Sequence, residues 1–402
     1  MEPLIDVAVV GAGPGGIAAA LTAHRHGCSV VCVDKAGFPR DKTCGDGLTT
    51  GALRDLEALG LTREELFDLG MVTVHETVLV SPSGRKIVLP LPVGRGLYAA
   101  VAKRQDLDAA LVALARRGGV EVREECAVEK LAPRDDEVEL LLGNGQSLRA
   151  RFVVAADGHW SSVRRALDPE TPRDLGEWHA ARQYFADVND DRLWVLFERD
   201  LLPGYAWVFP TPDGGANVGF GVLRADGRSG RELKQLWPAL LARPVLRDVL
   251  GPHARATEPV RAWPIPTRYD PARLAHGRVL FAGDAAGVVD PMTGEGIAQA
   301  LETGQFAAEA VASGGGPDAV AARYRRQVAR SLGRDLRFAS ALQSLLRFPL
   351  GARGAIAAAG LTPWTRRNFA RWMFEDYPRA LLLTPDRWRR GAFSAPGAYR
   401  MP

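Results

Sequence analysis

Short apolar runs that end at glycines or at an acid recur along the chain. The first run covers residues 4–10 and is followed by Gly-Ala-Gly-Pro-Gly-Gly and an alanine-rich stretch that reaches residue 26. The second run covers residues 29–33 and ends at Asp34. Continuous apolar runs of this length are typical of buried parallel strands, whereas the alanine-rich stretch favours a helix. The pattern therefore predicts a strand, a tight turn, a helix and a second parallel strand.

The glycine turn after the first strand carries the first chemical signal. Gly11 permits the tight turn, Gly13 lets the backbone approach a pyrophosphate, and Gly16 lets the helix pack closely on the strand. Asp34 comes about 20 residues later, at the position that holds a ribose diol in dinucleotide-binding units. We predict a dinucleotide site here; the alternative is a tight turn without a ligand. Its residues are Gly11, Gly13, Pro14, Gly15, Gly16, Asp34 and Lys35.

Two later segments return to the same pattern, because each consists of a short apolar run, a predicted strand, that ends at a glycine or an acid. Residues 152–156 form an apolar run that ends at Asp157, and residues 279–282 form another that ends at Gly283. A helix is predicted to open soon afterwards, and a helix N-terminus stabilises negative charge such as that of a reduced flavin. These returns favour FAD over a nicotinamide dinucleotide, whose domain would finish nearer the start. The predicted FAD contacts here are Asp157, Gly283, Asp284, Pro291, Gly294, Glu295, Gly296 and Ile297.

Between these segments the pattern predicts antiparallel strands. Residues 72–90 alternate in polarity and turn at Ser-Pro-Ser-Gly, which predicts a hairpin, and residues 180–223 contain four strand-like runs separated by turn signals. Tyr205, Trp207 and Phe209 alternate, so they share one face of a strand. We predict that this sheet lies over the flavin ring and forms one wall of a substrate pocket. The alternative is that the aromatic face is simply core.

From residue 317 onward the chain is predicted to be helical. Trp364, Trp372 and Trp388 are interleaved there with many arginines, among them Arg366, Arg367, Arg371, Arg379, Arg387, Arg389 and Arg390. We expect a helical cap that closes the pocket. A dimer contact and binding at a membrane interface are the alternatives.

Composition narrows the class of protein. The 402 residues are 47% hydrophobic and 24% charged with a net charge of +4, an ordinary globular balance without a basic block for nucleic acid. The four cysteines show neither metal-ligand spacing nor a disulfide framework, so we expect no metal and a reducing compartment. There is no basic signal-peptide start and no apolar run of about 18 residues. The expected location is the cytoplasm, with candidate peripheral contact at the inner face of the cytoplasmic membrane through the C-terminal helices.

The three strand-end segments resemble a known class of flavoprotein. The glycine fingerprint, the Asp-Gly pair at Asp157 and the Gly-Asp pair at Gly283 are similar to the three markers of flavoprotein hydroxylases with the para-hydroxybenzoate hydroxylase fold. The Arg-Gln-Asp-Leu-Asp sequence that begins at Arg104 resembles the helix of that fold whose arginine approaches FAD. The alternative is an ordinary surface helix start.

A narrower resemblance is to geranylgeranyl reductases, including bacterial menaquinone reductases. Residues 39–48, Pro-Arg-Asp-Lys-Thr-Cys-Gly-Asp-Gly-Leu, resemble the P-x-x-K-x-C-G-G-G segment of that family. Residues 204–210 with 217–219 resemble its Y-x-W-x-F-P strand, and residues 291–297 resemble its P-L-T-G-E-G-I sequence. The resemblance covers most of residues 4–311 and implies that Lys42, Cys44 and Gly45 lie at the FAD. Asp46 departs from it, because much of the family has glycine there; a carboxylate at this position would alter substrate polarity or the protonation of Cys44.

These observations predict an α/β fold with an α+β second domain. A Rossmann-like FAD-binding domain would be formed by residues 1–71, 101–170 and 266–315. A substrate domain would be formed by a hairpin within residues 72–100 and by an inserted antiparallel sheet within residues 171–265. Residues 316–402 would form the helical cap.

The predicted reaction is reduction of a C=C bond in an isoprenoid or prenylated substrate, a hydrophobic small molecule. Reduced flavin passes a hydride to one carbon while a proton goes to the other. The candidate catalytic residues are Cys44 as proton donor or shaping wall, Tyr205 as the rival donor, and Trp207. Glu295 is expected to act on the redox poise of the flavin and not as a general acid. NAD(P)H, a ferredoxin or a quinol is the candidate electron donor.

Three other functions stay open from the sequence. The fold also suits an FAD-dependent monooxygenase or epoxidase that tailors a natural product, and less well a halogenase. A non-catalytic flavin-binding protein is the alternative of a different class.

Overall fold

The computed structural model describes residues 3–169, 176–224, 230–381 and 395–400. Two sheets of eight strands and one of three carry the fold. The strands are β1 (Ile5–Val10), β2 (Val30–Val33), β3 (Gly47–Thr49), β4 (Val72–Thr73), β5 (Glu76–Val80), β6 (Lys86–Pro90), β7 (Ala99–Val101), β8 (Glu121–Arg123), β9 (Val128–Pro133), β10 (Val138–Leu142), β11 (Ser147–Ala155), β12 (Trp178–Ala186), β13 (Leu193–Leu196), β14 (Tyr205–Pro210), β15 (Ala216–Leu223), β16 (Arg255–Ala256), β17 (Arg261–Ile265), β18 (Ala275–His276) and β19 (Val279–Phe281).

Helices surround the sheets. They are α1 (Pro14–Arg25), α2 (Thr50–Ala58), α3 (Arg63–Asp68), α4 (Arg104–Arg117), α5 (Ser162–Leu167), α6 (Gly230–Leu241), α7 (Pro244–Leu250), α8 (Ile297–Ala312), α9 (Pro317–Ser331), α10 (Gly333–Leu346), α11 (Pro349–Ala359) and α12 (Pro363–Met373). Two 3-10 turns cover Pro271–Leu274 and Gly283–Ala286.

The first sheet confirms the predicted mostly parallel arrangement. Its strand order is β18-β19-β11-β1-β2-β8, and β1 runs parallel to both β2 and β11. Strands β1, β2 and β19 are almost wholly buried, as their apolar sequences require. The carboxyl ends of β1, β2, β11 and β19 therefore meet along one edge, which is where ligands bind in sheets of this class. The glycine turn, Asp34, Asp157 and Gly283 all lie at this edge.

Helices α1 and α8 cross very closely above this edge, because both carry glycine at the contact. A Cβ atom added to Gly304 would lie 2.1 Å from the carbonyl oxygen of Gly15. A Cβ on Gly15 would lie 2.9 Å from the carbonyl oxygen of Ala300. A Cβ on Gly16 would lie 1.7 Å from the carbonyl oxygen of Gly11, so Gly16 serves packing within the turn. The N-terminus of α1 is thereby held beside the start of α8.

The second sheet is antiparallel as predicted, except that β5 runs parallel to β13. Its order is β16-β12-β15-β14-β13-β5-β6, with β17 also paired to β12. The predicted hairpin is formed by β5 and β6, with Val78 opposite Val88. The first residues of that predicted segment are an exception, since β4 pairs with β7 in the three-stranded sheet. The boundaries proposed between domains stay a prediction.

The C-terminal helices cover one face of the second sheet. Ile356, Ala370 and Phe374 pack in one apolar cluster with Trp207 and Phe209. Among the described residues, no helix is long and apolar enough to cross a membrane. Of the C-terminal residues named in the sequence analysis, Arg387, Trp388, Arg389 and Arg390 lie outside the described residues.

Substitution of Gly304 by alanine is expected to force α8 away from α1. The added methyl group meets backbone, which cannot swing aside as a side chain can, so we expect a loss of about 1–3 kcal/mol in unfolding free energy. Thermal unfolding followed by circular dichroism measures this loss. Gly354→Ala is the matched control, because Gly354 lies in α11 with no atom near its added Cβ. That change should stabilise the protein slightly, and equal behaviour of the two variants would contradict the close crossing.

Candidate functional site

A cavity of about 600 Å³ lies at the edge where the parallel strands end and reaches the aromatic strand β14. Most residues predicted for the site line this cavity. Two do not: Gly16 packs inside the turn, and Pro291 is buried away from the wall. The predicted residues on the wall are Gly11, Gly13, Pro14, Gly15, Asp34, Lys35, Lys42, Cys44, Gly45, Arg104, Asp157, Tyr205, Trp207, Gly283, Asp284, Gly294, Glu295, Gly296 and Ile297.

Asp34 ties the end of β2 to the glycine turn. One carboxylate oxygen accepts from the amide of Ala12 at 2.7 Å, and the other accepts from the amide of Ala36 at 2.9 Å. Each carboxylate oxygen has two acceptor positions, so capacity for a diol remains on the cavity side. The acid is thus both part of the turn and available to a ribose.

Two arginines flank the glycine turn. The guanidinium of Arg104 donates twice to Asp108, both at 2.8 Å, and Arg40 forms an ion pair with the same carboxylate at 3.1 Å. A Cβ on Gly13 would lie 3.6 Å from Arg40 and 4.0 Å from Arg104. A pyrophosphate at Gly13 would therefore meet two positive side chains as well as the N-terminus of α1. The sequence analysis missed Arg40, although it belongs to the same Pro-Arg-Asp-Lys segment as Lys42.

The cavity fits FAD on one further observation. Asp157 Oδ2 accepts from the hydroxyl of Ser162 and the amide of Val163, whereas its Oδ1 is buried and has no hydrogen-bond partner within the described residues. A buried acceptor without a partner is costly unless a ligand satisfies it. Asp157 lies on the cavity wall, so a bound cofactor can supply that partner. Together with the glycine cradle and the arginines, the residues present suit a flavin dinucleotide.

The Cys44 loop, residues 40–47, lines the cavity and is anchored by the side chain of Asp46. The Asp46 side chain is fully buried and accepts from the Asn217 amide at 2.9 Å, from the Arg104 backbone amide at 3.2 Å and from the Tyr184 hydroxyl. Burial raises the pKa of Asp46 above its usual value, while the Tyr184 and Asn217 hydrogen bonds oppose that rise. Its backbone has a φ of 66°, a left-handed conformation that glycine adopts more readily. A glycine at this position would adopt the same conformation without that strain.

Cys44 presents a neutral thiol to the cavity. Its sulfur accepts from the backbone amide of Asp46 at 3.3 Å. Burial raises the pKa of Cys44 to about 11, and the nearby Arg104 only partly opposes this. The thiol therefore keeps its proton at neutral pH.

The aromatic wall beside this loop has its polar atoms already engaged in hydrogen bonds. The Tyr205 hydroxyl donates to the carbonyl of Thr293, and the Trp207 indole donates to Asn217 at 3.0 Å. Neighbouring rings along β14 lie 6.1 Å apart, centroid to centroid, which confirms that Tyr205, Trp207 and Phe209 share one face. Burial raises the pKa of Tyr205 well above its usual value. The wall is thus apolar towards the cavity.

The segment before α8, residues 290–296, carries the carboxyl group of Glu295 and is anchored by a buried ion pair. Asp290 pairs with Arg379 at 3.1 Å, and both side chains are almost fully buried. Asp290 also accepts from the amides of Met292 and Thr293 at 2.8 and 2.9 Å. Glu295 lies in this anchored segment and lines the cavity. Burial, reinforced by Glu375, raises the pKa of Glu295 to about 8.

Lys42 lies on the wall near the Gly-Asp turn. Its ammonium is 3.8 Å from the centre of the Trp263 ring, a cation–π contact. Burial lowers the pKa of Lys42 to about 8, while Asp284 opposes the shift. The group therefore changes its charge near physiological pH.

The fold and the site define an FAD-dependent oxidoreductase. The family described as FAD binding domain matches residues 4–313. Menaquinone reductase of Mycobacterium tuberculosis is 33% identical over 365 residues, which span 86% of this chain and 84% of the relative. Digeranylgeranylglycerophospholipid reductase of Methanosarcina mazei is 31% identical over 327 residues, 77% of this chain and 75% of the relative. The chain belongs to the FAD-binding-domain family, in its geranylgeranyl reductase-like branch.

Solved structures support the same fold. A geranylgeranyl bacteriochlorophyll reductase-like protein of Thermoplasma acidophilum is similar, with a TM-score of 0.79, 22% identity, and coverage of 95% of this chain and 99% of that one. A flavin-dependent halogenase is also similar, with a TM-score of 0.70, 23% identity, and coverage of 96% and 78%. At these identities the likeness concerns the fold alone.

Asp46→Ala is expected to be less stable than Asp46→Gly. Both variants leave Tyr184 and Asn217 without their buried acceptor, but alanine also retains the left-handed strain, which costs about 1–2 kcal/mol. Urea-induced unfolding measures the difference between the two variants. Glu125 has a φ of 53° but is exposed, so Glu125→Gly is the matched control and should be neutral or slightly stabilising. Identical stability of the alanine and glycine variants would contradict this account of Asp46.

Proposed function

We propose that this protein reduces C=C bonds of an isoprenoid or prenylated substrate with electrons from reduced FAD. The observation that carries the proposal is the apolar aromatic face of β14, which lines the same cavity as the Cys44 loop and the Gly-Asp turn. The names of the relatives favour the same chemistry. Cys44, Tyr205 and Trp207 are the proposed substrate-side residues.

The substrate side suits a long hydrocarbon. Trp178, Trp263 and Ile265 add to the aromatic face of β14 on the cavity wall. Burial of apolar surface stabilises such a complex by about 25 cal/mol per Å², so a prenyl chain is bound without any specific polar contact. Charged groups gather instead around the glycine turn, where the cofactor is proposed to lie.

FAD, when bound, supplies the hydride, and the protein holds and orients the cofactor. Arg40, Arg104 and the glycine turn are proposed to bind the pyrophosphate, and Asp34 the ribose. The segment of residues 294–297 at the start of α8 is proposed to stabilise the charge of the reduced ring. The chain carries one glycine fingerprint, which favours an electron donor that binds transiently. NAD(P)H, a ferredoxin and a quinol are the candidates.

An oxygenase is the second candidate function, because halogenases and monooxygenases share this fold. The two functions differ in the acceptor of the electrons on the reduced flavin. An oxygenase holds a flavin–oxygen adduct, whereas a C=C reductase passes its electrons to substrate without oxygen.

We predict that the anaerobically reduced protein is reoxidised by a prenylated quinol, whose ring is already reduced, with loss of one substrate double bond. Stopped-flow absorbance at the flavin band and mass spectrometry of the extracted lipid measure the two events. The same quinol with a fully saturated side chain is the control and should leave the flavin reduced. A long-lived flavin–oxygen adduct after oxygen is admitted, without anaerobic loss of a double bond, would favour the oxygenase.

We further propose peripheral contact with an anionic membrane through the C-terminal helices. Leu345, Phe348, Leu350, Leu361 and Trp364 are exposed at the two turns that join α10, α11 and α12. Residues 336–374 contain six arginines and no aspartate or glutamate. Exposed apolar and aromatic side chains among arginines suit an anionic lipid interface. Such contact would bring the cap next to a membrane-dissolved prenyl substrate.

The double variant Phe348→Ser, Leu350→Ser should weaken binding to vesicles that contain anionic phosphatidylglycerol. Loss of two inserted apolar side chains should lower the partition coefficient about tenfold or more in a sedimentation assay. Phe67→Ser is the control, because Phe67 is also exposed but lies on α3, outside the C-terminal helices. Unchanged binding of the double variant, or an equal loss in the control, would contradict this membrane surface.

A further inference from the structure

Reduction of a C=C bond needs a proton as well as a hydride. Apart from the arginines, four side chains on the cavity wall hold a proton at neutral pH: Cys44, Tyr205, Glu295 and Lys42. The Tyr205 hydroxyl already donates a hydrogen bond to the carbonyl of Thr293, and the Lys42 ammonium already lies over the Trp263 ring. The thiol and the carboxyl group remain as the candidates for a donor to the substrate.

The Glu295 carboxyl lies close to the Cys44 loop. A Cβ on Gly47 would be 3.4 Å from Glu295 Oε1 and 3.3 Å from the Phe209 ring. Any side chain at position 47 would therefore crowd both the carboxyl and the aromatic wall. Glycine at this position lets the carboxyl, the loop and the wall converge on one space.

The backbone that carries Glu295 is held rigidly. The Glu295 carbonyl accepts from the Asp290 amide at 2.9 Å, and Asp290 is anchored by Arg379. Neighbouring acids have polar partners: Glu375 accepts from the Thr49 hydroxyl at 2.7 Å and from the Gln299 amide at 2.8 Å. The Glu295 carboxyl, in contrast, makes no hydrogen bond with any of the described residues. A rigid backbone that carries an unpartnered acid is the arrangement of a group that acts on a ligand.

We propose that Glu295 is the proton donor for the double bond, an assignment that rests on the proposed reductase function. This role replaces the one expected from the sequence, in which Glu295 acts on the redox poise of the flavin and not as a general acid. The π electron pair of the alkene forms a C–H bond with the Glu295 proton, and the other carbon would receive the hydride that FAD supplies when bound. Glu295 is left as a carboxylate and regains a proton from water. The two electrons of the hydride would come from the external two-electron donor.

Acidity favours Glu295 over Cys44. An efficient general acid has a pKa near the working pH, so that it is protonated and still releases its proton readily. The pKa of Glu295 is raised to about 8, whereas that of Cys44 is raised to about 11. Burial is the main cause in both cases; Glu375 and Asp290 raise the Glu295 value further, and Arg379 opposes them. The carboxyl is thus the stronger acid of the two and remains protonated at neutral pH.

The raised pKa of Glu295 predicts how the rate of substrate reduction depends on pH. Glu295 is protonated below about pH 8 and loses its proton above it. Single-turnover reoxidation of the reduced flavin by substrate should therefore be fast at pH 6.5 and fall about tenfold per pH unit above pH 8. Glu375→Gln removes the nearest negative charge, which should lower the Glu295 pKa and move this fall to lower pH.

The variant Glu295→Gln keeps the size of the side chain but has no transferable carboxyl proton. We expect its anaerobic reoxidation by substrate to slow about 100-fold or more and to lose the fall above pH 8. Reoxidation by oxygen should stay unchanged, because it reports a reduced flavin that is still bound. Glu129→Gln, an exposed substitution on β9, is the control. A rate within threefold of the unsubstituted protein would overturn the assignment.

A second measurement needs no turnover. Infrared difference spectra of the substrate-free protein between pH 6.5 and 9.5 should show a carboxylic acid C=O band that is lost at high pH and is missing in Glu295→Gln. Absence of this band from the unsubstituted protein would overturn the assignment even if substrate is reduced. If the band is present but no prenylated substrate reoxidises the unsubstituted protein, it is the proposed reductase function that fails.

Discussion

The site depends on the close crossing of α1 and α8. Gly15 and Gly304 let the two backbones approach so nearly that any side chain at the contact would meet a carbonyl oxygen. The crossing holds the glycine turn beside the segment that carries Glu295, although almost 300 residues separate them in the chain. One positive helix end lies at the turn and another at the segment before α8, both on the same cavity. Without this approach the two halves of the FAD site would not form one cradle.

Charge around the cavity is arranged in two different ways. Near the glycine turn, Arg40 and Arg104 share the carboxylate of Asp108 and present positive charge to a dinucleotide. Near the aromatic wall, the buried Asp46 is satisfied by Tyr184 and Asn217, whereas Glu295 is partly buried and has its pKa raised to about 8. A buried charge is costly unless it is paired, so the unpaired acid keeps its proton. The same cavity can thus bind an anionic cofactor and keep an acid ready for use.

Much of the architecture was predictable because local patterns were strong. The apolar runs, the turn glycines and the alternating aromatics of β14 correctly predicted the parallel edge and the shared aromatic face. The contacts that local patterns did not predict join distant segments of the chain. Arg40 approaches Gly13 through the fold, and Asp46 meets Tyr184 and Asn217, which are 138 and 171 positions away. Residues 72–73 alternate like a hairpin strand but pair with β7, because pairing partners are chosen by the tertiary arrangement.

Local patterns were enough to predict the buried parallel strands and the turns, since periodicity and glycine positions are properties of the local chain. The return of the chain to the same sheet and the resemblance of its motifs to a flavoprotein family predicted a flavin dinucleotide. Only the tertiary structure decided which side chains face the cavity and in what protonation state. The pKa of Glu295 depends on burial and on Glu375, and the neutral thiol of Cys44 depends on the surroundings of its loop. Each of these pKa values depends on many neighbouring groups that folding brings together, so no local sequence pattern predicts it.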